Sequence, residues 1–526
     1  MRKLLFLVAV FVSVQALAQD DPAKYASVIT GSNLKKHLTN VASDEFEGRE
    51  TGTEGQRKAA AYIESQFKSI GLKEVPALNG YQQYYPLYQD SVVKATFTLN
   101  GKEAVLGKDF ISPLNSNETG KFKGKKAVFI GYGIEDAKYS DYKDANVKGK
   151  VVVFFLGEPK NADGNYILSG TKRGSEWSFP GISKKLALAA SKGAVGAIVI
   201  NPNQETFNQR AIENAKKTGV YFPRAATAKT INYALVSHEF AKTIVGDKFN
   251  FDSYLKSAKA SEVFQINAFE TKLKTAYVFD KYRTTINASN VVGVIEGTDK
   301  KDEYVFLTAH YDHLGKHDGK IYYGADDDGS GTCAVIQMAE AFAKAAAEGH
   351  RPRRTIVFMT VSGEEKGLWG SEYYSDHPFY PVEKTTVDLN TDMVGRIDTE
   401  RKTGDTMNYV YVIGHDKLSS DLPVINEAAN NKYTNLVLDY KFDDPKDPNR
   451  IYFRSDHYNF ARKGVPVLFF YDGMLQSDYH KPTDTVDKIT WDLYEKRVRM
   501  IFHTAWTMAN RDDMLKRDTP LNMGTR

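Results

Sequence analysis

The chain has little of several features that would indicate particular classes of protein. Its single cysteine, Cys333, excludes an intrachain disulfide framework, so packed cores must hold the fold together. The net charge of +4 is too small to indicate a nucleic-acid partner or an anionic membrane surface. No apolar run approaches the length of a membrane-spanning helix. The Gly-x-Ser-x-Gly turn of serine hydrolases and the glycine-rich phosphate loop of nucleotide-binding enzymes are also missing.

Residues 1–18 have the composition of an export signal. Arg2 and Lys3 precede an apolar run that is too short to span a bilayer, and a small-residue cleavage signal ends at Ala18. We therefore predict a protein exported to the periplasm or secreted, without a membrane anchor after cleavage. Cys333 lies in an apolar helical pattern with no cationic neighbour, which favours a buried structural cysteine over a reactive thiol.

The length of 526 residues, 42% of them hydrophobic, is compatible with two or three globular domains. Residues 56–72 carry a helix-period apolar stripe but have no neighbouring strands to cover it. We expect this helix to pack on a sheet built from later sequence. The domain that contains it would then be discontinuous along the chain.

Between residues 105 and 280 the pattern changes to short strand-like runs around one helical run. The strand-like runs are 126–131, 151–155 and 197–200, and the helical run is 183–192. From residue 289 onwards, strands and helices alternate up to a C-terminal helix at 491–510. This alternation predicts an α/β fold, with a mostly parallel mixed sheet and helices on both faces. The polar residues 513–526 are expected to form a frayed tail.

Side chains that can bind metals or move protons cluster around the ends of four apolar runs in the second half of the chain. They are His310, Asp312, Asp327, Glu364, Glu365, Asp392 and His480. An isolated pair such as Glu364-Glu365 is more often a solvated turn than a site. Open α/β sheets, however, place their ligands beyond the carboxyl ends of the strands. Four runs that deliver carboxylates or imidazoles near one edge therefore predict a metal centre.

Five motifs in this region resemble, in the same order, those of the M28 family of zinc-dependent aminopeptidases. They are Ala309-His310-Tyr311-Asp312, Gly324-Ala325-Asp326-Asp327-Asp328-Gly329-Ser330-Gly331, Gly363-Glu364-Glu365, Thr391-Asp392-Met393-Val394-Gly395-Arg396 and His480-Lys481-Pro482-Thr483-Asp484-Thr485. Residues 42–52 also resemble the opening of the bacterial members. Residues 105–280 resemble the protease-associated (PA) domain inserted in many of them. The resemblance implies a zinc-exopeptidase domain formed by residues 24–104 and 281–512, interrupted by a PA-like α/β domain.

The resemblance also implies two zinc ions. The implied ligands are His310, Asp327, Glu365, Asp392 and His480. Asp327 would bridge the two ions, with His310 and Asp392 completing one site and Glu365 and His480 the other. Because all donors are nitrogen or oxygen atoms, cobalt and manganese also remain open.

Two further carboxylates have implied roles around the metals. Asp312 would orient the His310 imidazole by accepting its second N–H. Glu364 would be the general base that takes a proton from the attacking water and passes it to the leaving amine. His313 and His317 follow in the same loop and are not included, because surface histidines outnumber ligands. The implied activity is removal of N-terminal residues from peptide substrates.

Three alternatives remain open on this fold. Glutaminyl cyclases resemble the family, share the acidic pair and typically work with one zinc ion. A carboxypeptidase would need a cationic pocket for the terminal carboxylate, which the sequence does not locate. A non-catalytic binding protein would have lost ligands, whereas every expected ligand is present here. Asp326 and Asp328 are expected to hold backbone groups, and residues 454–457 to lie near the pocket.

Overall fold

The computed structural model describes residues 22–523, apart from 179–180, 225–227, 247–249 and 261–267. The predicted export signal at residues 1–18 lies outside the described residues. Within the described part, none of the helices combines the length and the apolar character needed to cross a bilayer.

The described chain forms twelve helices and eighteen strands. The helices are α1 (Pro22–Ala26), α2 (Gly31–Val41), α3 (Glu54–Ile70), α4 (Ile182–Ser191), α5 (Gln209–Lys216), α6 (His238–Val245), α7 (Phe251–Ala260), α8 (Gly331–Ala347), α9 (Trp369–Asp376), α10 (Asp421–Tyr433), α11 (His457–Ala461) and α12 (Trp491–Asn510). The strands are β1 (Gln82–Leu99), β2 (Lys102–Glu103), β3 (Phe110–Ile111), β4 (Gly120–Phe129), β5 (Glu135–Asp136), β6 (Tyr139–Ser140), β7 (Val151–Phe155), β8 (Gly196–Ile200), β9 (Tyr233–Val236), β10 (Phe269–Ile295), β11 (Lys300–His310), β12 (Gly315–His317), β13 (Lys320–Tyr322), β14 (Arg354–Val361), β15 (Thr385–Thr391), β16 (Tyr409–Ile413), β17 (Val437–Asp439) and β18 (Val467–Tyr471).

The chain divides into two compact units. Unit 1 contains the described residues up to Tyr85 and those from Asn287 onwards, and unit 2 runs from Pro86 to Ile286. Unit 1 is therefore discontinuous in sequence. The unit boundaries fall inside strand β1, after Tyr85, and inside β10, after Ile286, whereas the domain limits predicted from the sequence are 104/105 and 280/281.

The sheet of unit 1 has the strand order β17-β16-β18-β15-β11-β14-β10. The four central strands β18, β15, β11 and β14 are parallel to one another, so their carboxyl ends meet at one edge. Strands β16 and β10 run antiparallel to their central neighbours. The prediction of a mostly parallel mixed sheet is confirmed.

Helices cover both faces of this sheet, as predicted. Along β11, Val305 and Leu307 belong to one buried cluster, while Tyr304 and Phe306 belong to the other. Both faces of the strand are therefore apolar, as expected for a sheet buried on two sides. The first cluster is covered by α2, α3, α8 and α12, and the second by α9 and α11. Cys333 is a buried free cysteine in α8, as predicted.

Unit 2 is a smaller α/β unit. Its strands β4, β7, β8 and β9 are parallel, and β3 pairs antiparallel with β9. Helices α6 and α7 contribute to the core on one face and α4 to the core on the other. The strands and the helix expected from the sequence at 151–155, 197–200 and 183–192 are present within one residue at each end.

The C-terminal segment differs from the expected frayed tail. Leu515 is buried, and its main-chain N–H donates to the Thr386 hydroxyl over 2.8 Å. Arg517 donates to the carbonyl oxygens of Val382 and Thr385. A few apolar side chains among polar residues are a weak sequence signal, yet Leu515, Leu521 and Met523 pack on the cores of unit 1 and help to anchor the segment.

Candidate metal centre

The seven side chains singled out from the sequence lie together at the carboxyl edge of the unit 1 sheet. His310 ends β11, Glu364 and Glu365 follow β14, and Asp392 directly follows β15. Asp327 lies in the turn Ala325–Ser330 before α8, and His480 in the loop after β18. Because the four strands are parallel neighbours, side chains far apart in sequence reach one place.

Asp327 lies at the middle of the cluster and faces two groups of donors. Its Oδ1 is 3.3 Å from Nε2 of His310, which in turn is 3.5 Å from Oδ1 of Asp392. Its Oδ2 is 3.2 Å from Nε2 of His480, which is 3.0 Å from Oε2 of Glu365. Each oxygen of Asp327 thus belongs to a different donor group. This arrangement matches a carboxylate shared by two cations.

Several of these atoms are buried without a hydrogen-bond partner in the described chain. They are Oδ2 of Asp327, Oε1 of Glu365, Nε2 of His480 and both ring nitrogens of His313. Buried polar atoms normally have partners, and a bound ion is one explanation for a group that lacks them. The donor set of carboxylates and imidazoles suits a divalent metal. The residues present therefore fit the metal ions that the sequence implies.

His313 was left out of the predicted site as a surface histidine, and the structure places it differently. Its side chain is fully buried, and Nδ1 lies 2.7 Å from Oε1 of Glu365. The one sequence signal that could have found it is the spacing His310-x-x-His313 at the end of β11. By contrast His317, the other histidine left out, is half exposed and contacts the Leu314 carbonyl oxygen.

The imidazole of His310 is held through Nδ1, the ring nitrogen that does not face Asp327. Its Nδ1 lies 3.1 Å from the main-chain oxygen of Asp312, whereas the Asp312 carboxylate is 3.6 Å away. The expected carboxylate acceptor is therefore replaced by a carbonyl of the same residue. The Asp312 carboxylate instead accepts from the Thr51 hydroxyl at 2.6 Å and the Glu364 main-chain N–H at 3.2 Å. It thus ties the Glu364 backbone to the loop after β11.

The N-terminal motif at residues 42–52 is part of this support. Arg49 is fully buried and donates to the carbonyl oxygens of Val41, Tyr311, Tyr323 and Gly324. Thr51 donates to Asp312 and accepts from the main-chain N–H of Gly363 at 2.9 Å. One arginine and one threonine therefore fix the loops that carry His310, Asp327 and Glu364.

Hydrogen bonds also fix the remaining carboxylates. Asp328 accepts from the main-chain N–H groups of His310, Gly331 and Met393, so it holds the backbone as predicted. Asp326 accepts from the Gly395 N–H. Ser455, in the segment expected near the pocket, donates to Oδ2 of Asp392 over 2.6 Å. Orienting contacts of this kind preset ligand geometry.

The two neighbouring glutamates have opposite pKa shifts. Burial raises the pKa of Glu364 well above its ordinary value, with His310 opposing the shift and the charges of Glu365 and Asp392 adding to it. Burial and Asp327 also act to raise the pKa of Glu365, but contacts with His313 and His480 outweigh them and lower it. Environments that push two carboxyl pKa values apart are typical of pairs with separate acid–base roles.

Two cavities open beside Glu364. One of about 30 Å³ has an apolar wall that includes Met393, Phe469 and Tyr471. The other, of about 370 Å³, is lined by Glu365, Asn449 and His480 among others. Arg454 and Tyr479 border both cavities. Glu364 and Arg454 therefore line both cavities.

Curated relatives match the chain over part of their own length. A glutamate carboxypeptidase 2 homolog of Caenorhabditis elegans is 24% identical over 432 residues, covering 73% of this chain and 54% of the relative. A probable leucine aminopeptidase of Trichophyton verrucosum (strain HKI 0517) is 26% identical over 216 residues, covering 40% of this chain and 55% of the relative. The chain thus spans little more than half the length of these two relatives.

A solved structure and a family model complete the comparison. An aminopeptidase from Aneurinibacillus sp. strain AM-1 superposes with a TM-score of 0.50 at 18% identity, covering 96% of this chain and all of that one, which supports the fold. The model of peptidase family M28 matches residues 290–505. These residues carry all seven side chains of the predicted site. Residues 290–505 are therefore similar in sequence to peptidase family M28.

Proposed function

We propose that the protein is a di-zinc exopeptidase that removes N-terminal residues from peptides. The observation that carries the proposal is the position of Asp327, whose two carboxylate oxygens face two separate donor groups beside Glu364. The name of the fungal relative, a probable leucine aminopeptidase, supports the aminopeptidase activity.

In this proposal, His310 and Asp392 hold one ion, Glu365 and His480 hold the other, and Asp327 bridges them. When bound, such a pair of cations lowers the pKa of water and stabilises the negative charge that develops on the carbonyl oxygen of the scissile bond. Nitrogen and oxygen donors of this kind suit zinc, with other divalent metals able to substitute.

Glu364 is the proposed general base. Its side chain is 12% exposed and borders both cavities, and its Oε2 lies 3.9 Å from Nε2 of His310. From this position the carboxylate takes one proton from the attacking water as the water oxygen bonds to the carbonyl carbon. It then gives that proton to the amine nitrogen as the C–N bond breaks. Asp312 keeps the carboxylate in reach by accepting from the Glu364 N–H.

We propose that the protein acts outside the cytoplasm, in the periplasm or after secretion, because residues 1–18 have the pattern of an export signal. Peptides are the proposed substrates. The PA-like identity of residues 105–280 also remains a proposal, supported by the parallel strands and the helices of unit 2.

The proposed activity is tested with aminoacyl anilides and short peptides of matched sequence. We expect chromophore release from substrates with a free α-amine, loss of that release after treatment with a chelator, and its return when zinc is added. Peptides with an acetylated N-terminus should not be cut. The proposal fails if the zinc-loaded protein cuts neither free nor acetylated substrates.

A carboxypeptidase is the second candidate, and Arg454 is the observation that favours it. The Arg454 side chain borders both cavities with Glu364, and its Nη2 donates to the Tyr479 hydroxyl over 2.9 Å. A guanidinium matches the geometry of a terminal carboxylate, and the nematode relative is named a glutamate carboxypeptidase 2 homolog. Hydrolysis of acetylated peptides that stops when the C-terminus is amidated would favour this candidate over the aminopeptidase.

A further inference from the structure

The side chain of His313 is the least explained polar group near the site. It is fully buried, and neither ring nitrogen forms a hydrogen bond in the described chain. Its backbone is fixed separately, since its main-chain N–H lies 3.4 Å from the Arg49 carbonyl oxygen. Leaving a buried imidazole without partners is unfavourable. The fold nevertheless keeps the ring in this position. This indicates that the ring nitrogens bind a group that is not part of the polypeptide.

The atoms around His313 also lack hydrogen-bond partners. Its Nδ1 is 2.7 Å from Oε1 of Glu365 and 3.8 Å from Oδ2 of Asp327. Neither of those oxygens forms a hydrogen bond. On the other side of the group, Nε2 of His480 is likewise unpartnered, and the two imidazole rings lie 5.9 Å apart between centroids. Four side chains thus present bare donor atoms to one another.

The distance of 2.7 Å between Nδ1 of His313 and Oε1 of Glu365 is not accompanied by the geometry of a hydrogen bond. It does suit two ligands of one cation. Zinc binds nitrogen and oxygen donors at about 2.0–2.2 Å, which sets two corners of a tetrahedron about 3.3 Å apart. The contacts of 2.7 and 3.8 Å made by His313, and those of 3.0 and 3.2 Å made by His480, lie around this value.

The neighbouring loop leaves room for the ring. Gly324 has a φ of +54°, and a Cβ added there would lie 2.5 Å from Cγ of His313. A side chain at this position would collide with the imidazole and with the Asp327 carbonyl oxygen, which would lie 2.2 Å from the added Cβ. Arg49 fixes this glycine through its carbonyl oxygen at 2.8 Å. Gly324 and Arg49 therefore maintain the space that the His313 ring occupies.

We propose that His313 is a metal ligand, the fourth protein donor on the side of Glu365 and His480. The inference rests on the proposal that the cluster holds two cations. It makes the two sides unequal: one has four protein donors, whereas the other has three, namely His310, Asp392 and the shared Asp327. Metal sites closed by protein ligands are typically structural, whereas catalytic sites keep an open position. The ion on the His313 side would then be held more tightly, whereas the ion on the His310 side would keep an open coordination position.

The direct test is X-ray absorption at the zinc edge of the zinc-loaded full-length protein, which counts imidazoles around the metal. If His310, His313 and His480 all bind, the average is about 1.5 imidazoles per ion for two ions. His313→Ala should lower this average to about 1.0 and make one of the two ions exchange with a chelator at least about 10-fold faster. His317→Ala, a loop histidine that is half exposed, is the matched control and should change neither value.

The zinc-edge spectrum of the wild type tests the role of His313 even if His313→Ala folds poorly. Two ions with an average of about 1.0 imidazole would overturn the role of His313 and leave the proposed function standing. A full-length protein that holds no zinc would overturn both proposals. Unchanged imidazole count and exchange rate in His313→Ala would also contradict the inference.

Discussion

Glu364→Gln should lose peptide hydrolysis and keep its metal ions. The amide cannot accept the proton from water, and removing a general base typically lowers turnover by about 10²- to 10⁴-fold. The side chain that we propose as base is distinct from the two donor groups on either side of Asp327, so metal binding should be unaffected. Turnover of an aminoacyl anilide and zinc content by elemental analysis, measured on the same preparation, provide the check.

Glu383→Gln is the matched control for this variant, because Glu383 is exposed and belongs to the same unit. It should behave as the wild type in both measurements. A Glu364→Gln protein that keeps most of its activity would remove Glu364 from the mechanism. One that loses zinc would show that Glu364 is a ligand instead.

Asp327→Asn should lose both metal ions, which is the largest effect on metal binding that we expect. Each oxygen of Asp327 serves a different donor group, so one substitution weakens both. Bound metal stabilises the native state by about 2.7 kcal/mol per site when its free concentration is 100 times the dissociation constant. The wild-type melting temperature should therefore rise when zinc is added, and that of Asp327→Asn should rise far less.

Variants of the outer ligands make this prediction specific to a bridge. Glu365→Gln and Asp392→Asn should each weaken one ion and leave the other bound. Asp398→Asn is the control for loss of a buried carboxylate, since Asp398 accepts from the Tyr411 hydroxyl in the same unit outside the cluster. It should lower stability without changing zinc content. Loss of only one ion from Asp327→Asn would contradict the bridging role.

The sequence was sufficient to predict most of the side chains that meet at the site, with His313 as the exception. Apolar runs such as 304–309 and 355–361 predict buried strands, and parallel strands bring the residues that follow them to one edge. His310, Glu365 and Asp392 could therefore be grouped before their distances were known. The individual roles of these residues remain proposals.

Burial of single residues outside the periodic segments could not be predicted. His313 lies in a loop, where a polar side chain is normally solvated, and its burial depends on the glycine at 324 and on Arg49. The contact from Thr51 to Asp312 joins residues 261 positions apart. Hydropathy carries no information of this kind, because it describes only neighbours in sequence.

The limits of the two units could not be predicted from the sequence either. Strand β1 runs without a break from Gln82 to Leu99, although the division falls after Tyr85. A strand that continues across a boundary leaves no linker in the sequence to mark it. The boundary depends instead on strand pairing. Strand β1 pairs with β10, which follows it in sequence by more than a hundred residues.

The central claim is that two metal ions lie on opposite sides of Asp327. Anomalous diffraction at the zinc edge, from crystals of the zinc-loaded full-length protein, tests it most directly. We predict two peaks about 3.5–4 Å apart, one beside His310 and Asp392 and one beside Glu365 and His480. A single peak, or peaks away from Asp327, would contradict the account.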